Sequence, residues 1–453
     1  MYRPPPFERG WTRLSVPVLL LGLAGYLNLL SAAQTVCDER QITPVRVRNA
    51  TGVGILRAAV NCTGGGEVNA EWAGRVAVDV PITIAEGTFL FVTGEDDLAE
   101  AYADGSQTNG TRLFEVSGGG ALALSRIKLS GGSAGDGGAI HSRAATLTLD
   151  NCTFDGNVAT DGNGGAVWAD GGNVTIVGGG YFDNNATKYG GAVHSVDASL
   201  VVLGGPRFEG NTAIAGGAIF CGLGEVGREK PLALCAITDA EFVSNTAARE
   251  EQGSIPDLSY LDGGGAAMFQ FASVNITDSV FSGNYAQLSG GALHAGFHTN
   301  VSVNGCTLRD NISGTYGGAI SASSLILGGG TRLTNNSAVD DGGAVSATRY
   351  LMQWSGIDVQ VTIITFVLLP PIRSIFRNRI FLVPYILLVA FMCCCNFGPH
   401  EGTQYLGWVW FGSGCAEIIS FIRIRRICTN SRYQLVSTFK HTIPLDWVVC
   451  GGG

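Results

Sequence analysis

Residues 137–167 read GGAIHSRAATLTLDNCTFDGNVATDGNGGAV. The stretch opens on Gly137-Gly138-Ala139-Ile140 and closes on Gly164-Gly165-Ala166-Val167. Between the two, Phe154 is followed three positions later by Asn157. Both phrases recur. Further Gly-Gly-Ala phrases end at Val193, Ile219, Leu293, Ile320 and Val345, with a variant at Gly264-Gly265-Ala266-Ala267. Their first glycines are 137, 164, 190, 216, 264, 290, 317 and 342, spaced by 27, 26, 26, 48, 26, 27 and 25. The second phrase is read at Phe154/Asn157, Phe182/Asn185, Phe208/Asn211, Phe242/Asn245, Phe281/Asn284, Leu308/Asn311 and Leu333/Asn336. The 48-residue step is one period with two insertions, near 221–235 and 248–262.

A period near 26 with short alternating runs is not a helical solenoid. The runs include Leu147–Leu149, Val174–Ile176, Leu200–Val202, Val274–Ile276, Val301–Val303 and Leu325–Leu327. Apolar residues at a period of two read as strands. One such unit cannot bury its own apolar face; stacked units can, and this predicts a parallel β-helix with coils about 4.8 Å apart. The paired glycines are expected at a tight corner where positive φ or close backbone approach excludes Cβ. Phe or Leu is the core plug. The Asn at 157, 185, 211, 245, 284, 311 and 336 is expected to sit in the left-handed region, bonding its copy one coil away.

These alternating phrases resemble the repeats of the chlamydial polymorphic outer membrane proteins, also met in β-helix surface proteins of single-celled eukaryotes. The resemblance covers residues 137–345. It implies an all-β, pectin-lyase-like right-handed β-helix and a surface or adhesin-like role. The bacterial proteins end in a membrane β-barrel. This tail lacks the repeated alternation a barrel needs, so autotransport is not implied.

The rest of the chain divides by composition. Glycine is 66 of 453 residues and charged residues only 14%, against about 25% in ordinary soluble domains. Residues 1–33 carry Arg3, Arg9 and Arg13, an apolar run from Val16 to Leu30, and Ser31-Ala32-Ala33 before Gln34, which is the pattern of a signal peptide. Residues 34–130 keep strand texture without the motifs, and are expected to form a cap and irregular first coils. Residues 131–348 are the repeat block. Residues 34–348 carry 16 Lys+Arg and 32 Asp+Glu, which with the overall net charge of −9 argues against a nucleic-acid partner. Residues 349–453 carry nine basic and four acidic side chains and three apolar runs, Val359–Pro371, Ile380–Asn396 and Tyr405–Ile422. These are candidate helical membrane spans, with arginine clusters at 373–379 and 423–426 on one side. The alternative is a mis-joined gene model.

Ten Asn-X-Ser/Thr sequons all lie in the exported block. Asn49, Asn61, Asn109, Asn151, Asn173, Asn275, Asn300 and Asn335 are expected to be accessible to glycosylation, whereas Asn185 and Asn311, read as ladder positions, are expected to stay bare. Cys37–Cys62 and Cys221–Cys235 are the expected disulfides. Cys152 and Cys306 share a register five coils apart, too far to bridge.

Chemical motifs are sparse. No P-loop, Rossmann fingerprint, HExxH, CxxC pair, GxSxG or EF-hand loop is found, and no cofactor, metal or catalytic residue is assigned. His141, His194 and His294 fill one slot, with Trp168, Phe220 and Phe269 on other coils: a stacked column, or alternatively a sugar-stacking stripe. Asp155, Asp183 and Glu209 are read as three stacked carboxylates, an acidic edge that could hold Ca²⁺ weakly. The sequence reading is therefore a secreted or membrane-anchored surface protein binding an extracellular glycan or protein. The alternative is a polysaccharide lyase or hydrolase on the same scaffold.

Overall fold

The computed structural model describes residues 44–62, 65–103, 110–223, 232–248, 263–340, 342–350, 358–360, 406–411 and 418–423. The repeats form a right-handed parallel β-helix built on sheets of 17, 11 and 8 strands, all paired in parallel. One coil shows the path. A long strand, Ile140–Asp150, bends at Ala144, whose φ is 49°. A corner at Asn151 leads to the short strand Thr153–Asp155, and a second corner leads to Val158–Ala159. A loop then returns to the next glycine pair. We call the three walls the long face, the plug face and the short face.

The two glycines of each pair are needed for different reasons. The first, from Gly137 to Gly342, has φ between 60° and 69°, where an L side chain is strained. The second lies against its own copy. A Cβ on Gly138, Gly165, Gly191 or Gly217 would penetrate the carbonyl oxygen of the glycine one coil on. The pair thus sets the coil spacing through backbone contact.

The plugs stack directly. Ring centroids run 4.9, 4.6, 4.8 and 4.7 Å apart through Phe154, Tyr181, Phe208, Phe242 and Phe281. The second plug is Tyr181, not Phe182, because register pairs Phe154 with Tyr181 and Asp155 with Phe182. That one-residue shift moves the ladder as well. The buried asparagine of this coil is Asn184, and Asn185 is exposed at the start of the short face. The ladder is Asn157, Asn184, Asn211, Asn245, Asn284, Asn311 and Asn336. Each Oδ1 from Asn184 onward accepts from the backbone N and the Nδ2 of the asparagine one coil before, at 2.9–3.1 Å. Each Nδ2 also donates to the carbonyl of the preceding coil's plug, as Asn184 does to Phe154. A second expectation changes too. The ladder residues are not in the left-handed region; the residues before them are, among them Gly156, Asp183, Gly210, Ser244, Gly283, Asp310 and Asn335. The corner is made by the preceding residue, which leaves the asparagine free to turn its amide inward.

The N-terminal end carries a helix that the sequence reading did not anticipate. Helix α1, Ala50–Val60, is capped by Asn49, whose side chain accepts from Gly52 N at 3.0 Å. Its buried residues Val53, Leu56, Ala59 and Val60 cover the open end of the core. The spacing 53, 56, 60 is the helical signal, diluted by Gly52 and Gly54.

The long insertion step is also resolved into its parts. The two departures from the 26-residue period fall at 224–231 and 249–262, outside the described residues, with the coil described up to Leu223, from Leu232 to Ala248 and again from Gly263. Cys221 and Cys235 are joined by a disulfide across the first departure, with Cα atoms 6.5 Å apart. Cys62 is disulfide-bonded, and Cys37 lies outside the described residues.

In the tail, Leu406–Phe411 and Ile418–Arg423 pair as antiparallel strands inside the run read as a third helical span. Aromatic and β-branched residues such as Trp408, Val409, Trp410 and Phe411 suit that state. No helix among the described residues is long and apolar enough to cross a membrane. The first two apolar runs lie almost wholly outside the described residues.

Candidate binding faces

A β-helix offers ligands its outward columns. The first is the slot after the Gly-Gly-Ala-aliphatic phrase. Its rungs are His141, Trp168, His194, Phe220, Met268, His294 and Ser321. Met268 takes the place expected for Phe269, because strand alternation turns Phe269 into the core. His141 stacks on Trp168 at 4.3 Å and His194 on Phe220 at 4.9 Å. The column is roofed by its own loops: Tyr189 stacks on Phe220 at 5.3 Å, and Trp168, His194 and Phe220 are buried. Burial lowers the pKa of His141 and of His194 to about 4, so both are neutral at physiological pH. A roofed column cannot serve as a sugar-stacking stripe.

The plug face carries the charge. Outward column positions hold Arg75, Glu100, Lys128, Arg207, Glu241 and Arg332 in one row, and Asp155, Glu209 and Arg309 in the next. Neighbouring rungs neutralise one another. Lys128 lies 2.7 Å from Asp155 and 3.8 Å from Glu100, and Arg207 pairs with Glu209 at 2.8 Å and with Glu241. The expected acidic edge is interrupted. Phe182 stands between Asp155 and Glu209, and Asp183 is the left-handed corner residue beyond. The three carboxylates therefore do not stack, and the calcium expectation falls with them. No metal-binding group of His, Cys, Asp and Glu is found among the described residues. Phe182 has a local task instead: its ring covers Gly180, whose Cβ would collide with it.

The outer half of the long face is different. Its outward columns run Phe89, Ala121, Thr146, Asn173, Ser199, Leu234, Ser273, Asn300, Ser324 and, beside them, Phe91, Ala123, Thr148, Thr175, Val201, Ala236, Asn275, Ser302, Ile326. The rung before them holds the exposed Glu67 beside Phe89 and Asn69 beside Phe91; from those two phenylalanines onward none of these positions is charged. In the adjoining column from Thr93 to Gly328, only Asp150 is, and Ser125 Oγ donates to it at 3.0 Å. Nine rungs at about 4.8 Å make a strip roughly 38 Å long. The sequence reading found several of these strands but attached no role to the outward residues, since they belong to no repeated phrase.

The sequons distribute unevenly. Asn173, Asn275 and Asn300 are exposed on this strip, and Asn151 and Asn335 sit exposed at corners. Asn49 and Asn61 flank α1 and are exposed. Asn185 is exposed and Asn311 is fully buried in the ladder. Asn109 lies outside the described residues.

Other chemistry is muted. A cavity of about 370 Å³ lies where the short face begins, lined by Asp79, Pro81, Thr111, Arg112, Ser133 and Gly135 among others. Its charges are engaged: Arg57 holds the Asp79 carboxyl below its ordinary pKa, and Arg112 donates to the Asp136 carbonyl at 2.9 Å. Cys152 and Cys306 are buried free thiols pushed by burial to about 12 and about 11, hence poor nucleophiles.

Comparison with known proteins agrees with the repeat. The family model of the Chlamydia polymorphic membrane protein repeat matches residues 151–170 and 278–296. Each match spans a plug, its ladder asparagine and the following glycine pair. No curated protein matches. Among solved structures, ORF18 of Geobacillus virus E2 matches with 12% identity and a TM-score of 0.32, over 71% of this chain and 64% of that one.

Proposed function

We propose that this chain is a surface-displayed recognition protein, exported by its N-terminal segment, whose β-helix presents a rigid flat face to an extracellular partner. The observation that carries this reading is the uncharged strip on the outer long face. The charges that keep the solenoid soluble are concentrated on the plug face, where they pair with each other. Covering this strip removes a single carboxylate, Asp150, from water, its Thr, Ser and Asn rungs are open to hydrogen bonds from the partner, and the rungs from Phe89 to Thr148 lie ahead of its first sequon, Asn173. The polymorphic membrane protein repeat supports a surface location, and the sequons support a secretory route.

The reading is tested with beads coated with the full chain and presented to intact cells. Adhesion is expected to survive a salt increase from about 0.05 to about 0.5 M, because Asp150 is the one charge on the nine-rung strip to screen. Adhesion that collapses with salt would assign binding to the plug face instead. The lyase or hydrolase reading has its own assay: incubation with pectate, alginate and related glycans, followed by measurement of new double bonds or reducing ends.

A further inference from the structure

Phe89 and Phe91 stand side by side on the strand Thr88–Gly94, both pointing outward, 44% and 40% exposed. Two adjacent aromatic side chains left open on a rigid sheet are a liability unless covered in use. The aromatics of the histidine column are roofed, Phe182 fills the space over Gly180, and the exposed Tyr285 and Tyr316 stand singly on other parts of the coil. The next strand in register presents only Ala121 and Ala123, and the one after that Thr146 and Thr148. The result is a shelf, with a raised pair of rings, a floor of methyl groups and a far margin of hydroxyls.

We propose that this end of the strip is a stacking site for neutral sugar rings of a polysaccharide. The proposal rests on the recognition reading above and specifies its ligand. A pyranose presents C–H bonds on one face and hydroxyls around its rim. The C–H face suits the negative face of an aromatic ring. Thr146 and Thr148 lie two rungs, about 10 Å, from the rings, where they meet hydroxyls of the next sugar along a polymer rather than of the stacked one. Charge selects against acidic glycans, since residues 34–348 carry twice as many acidic as basic side chains. Area selects against a protein. Three columns about 13 Å wide over about 38 Å give roughly 500 Å², below the ~800 Å² per partner of a standard protein interface. A single polymer chain seated on the rungs from Phe89 to Thr148, ahead of the sequon at Asn173, fits that width. The exposed sequons Asn173, Asn275 and Asn300 begin on the rung next to Thr146, three rungs from Phe89, so sugars attached there leave Phe89 and Phe91 open.

The test is affinity electrophoresis of the full chain in gels containing a soluble neutral β-glucan, a neutral mannan or polygalacturonate. Retardation by at least one neutral polymer and none by polygalacturonate is expected. Phe89→Ala with Phe91→Ala should weaken it at least about tenfold, while Phe89→Trp with Phe91→Trp retains it. Phe182→Ala, an outward aromatic on the charged wall, should leave it unchanged. Both alanine substitutions are at exposed positions, and an unaltered melting temperature separates lost binding from lost fold. No retardation by either neutral polymer overturns the proposal, as does equal retardation of the alanine double variant. Bead adhesion separates this from the broader reading. Adhesion unchanged in a double variant that has lost glycan retention overturns the shelf as the adhesive site and leaves surface recognition standing. Parent beads that do not adhere remove surface recognition even where glycan retention is seen.

Discussion

Asn184 and Asn185 are chemically identical neighbours with opposite environments, so leucine at each in turn isolates the ladder. Asn184 Oδ1 accepts from Asn157 N at 3.1 Å and Asn157 Nδ2 at 3.0 Å, and its Nδ2 donates to Phe154 O at 3.1 Å and Asn211 Oδ1 at 3.0 Å. Leucine removes all four bonds. Asn211 Oδ1 keeps the backbone N of residue 184, at 3.1 Å. The Asn157 amide and Phe154 carbonyl lose these partners inside a buried corner. At roughly 1–3 kcal/mol for each orphaned group, Asn184→Leu should cost about 2–6 kcal/mol. Asn185 points outward, and its backbone N bonds Asn157 O at 2.9 Å whatever the side chain. Asn185→Leu should stay within about 0.5 kcal/mol. For about 300 ordered residues, a loss of 4 kcal/mol lowers the melting temperature by roughly 6 °C. The assay is thermal unfolding followed by circular dichroism, on protein made in bacteria so that no glycan confuses residue 185. Asn245→Leu should repeat the loss, and Ser244→Asp, at a left-handed corner that holds aspartate on other coils, should be nearly neutral. Equal losses at 184 and 185, or a larger loss at 185, would refute the ladder assignment.

Glycan mapping of protein from a eukaryotic secretory host should find Asn185 occupied and Asn311 bare, since only the latter is buried; an occupied Asn311 in folded protein would place the ladder outside. Burial holds His194 at about 4 against an ordinary 6.5, so the folded state binds its proton less readily than the unfolded chain. Its stabilising neutral form is therefore complete above pH 6.5 and is lost as pH falls towards 4. Stability should decline by roughly 3 kcal/mol over that window. His141, also held at about 4, contributes over the same window, so His194→Phe, copying Phe220 in the same column, should remove only the share of His194, and melts at pH 7 and pH 4.5 that fall equally in both proteins would remove His194 as a cause. Replacing Cys221 and Cys235 with serine opens a link of sequence separation 14 and should cost about 2–4 kcal/mol in chemical unfolding; an unchanged midpoint would mean the insertion is held by other contacts.

The inward half of this molecule was legible because stacking forces it to repeat. A glycine that touches its own copy, a plug that stacks on its own copy and an amide that bonds its own copy must each recur every coil, and recurrence can be seen without coordinates. Where reading slipped, it slipped by one residue at places where neighbours are chemically alike. In Tyr181-Phe182-Asp183-Asn184-Asn185, either aromatic can be the plug and either asparagine the rung. Register pairs Tyr181 with Phe154 inside, and Gly180, lacking a Cβ, leaves room for the Phe182 ring outside. Met268 and Phe269 posed the same ambiguity, decided by strand alternation from Ala267. Helix α1 was missed because a cap occurs once.

Recurrence also explains why the candidate binding surface was the least legible part. Outward side chains touch no copy of themselves in a way the coil requires, so nothing forces them to repeat. What orders them is exclusion. On the plug face, side chains of opposite sign alternate between coils, because like charges 4.8 Å apart would repel while unlike ones pair, as Lys128 does with both Glu100 and Asp155. On the outer long face, that solution is available and unused across nine coils. Exposed phenylalanines stand where Lys or Glu would serve solubility better. A face that forgoes charge while its neighbour is dense with it is constrained by something outside the coil. The function of this solenoid should therefore be sought in the columns that break its composition, beginning at Phe89 and Phe91.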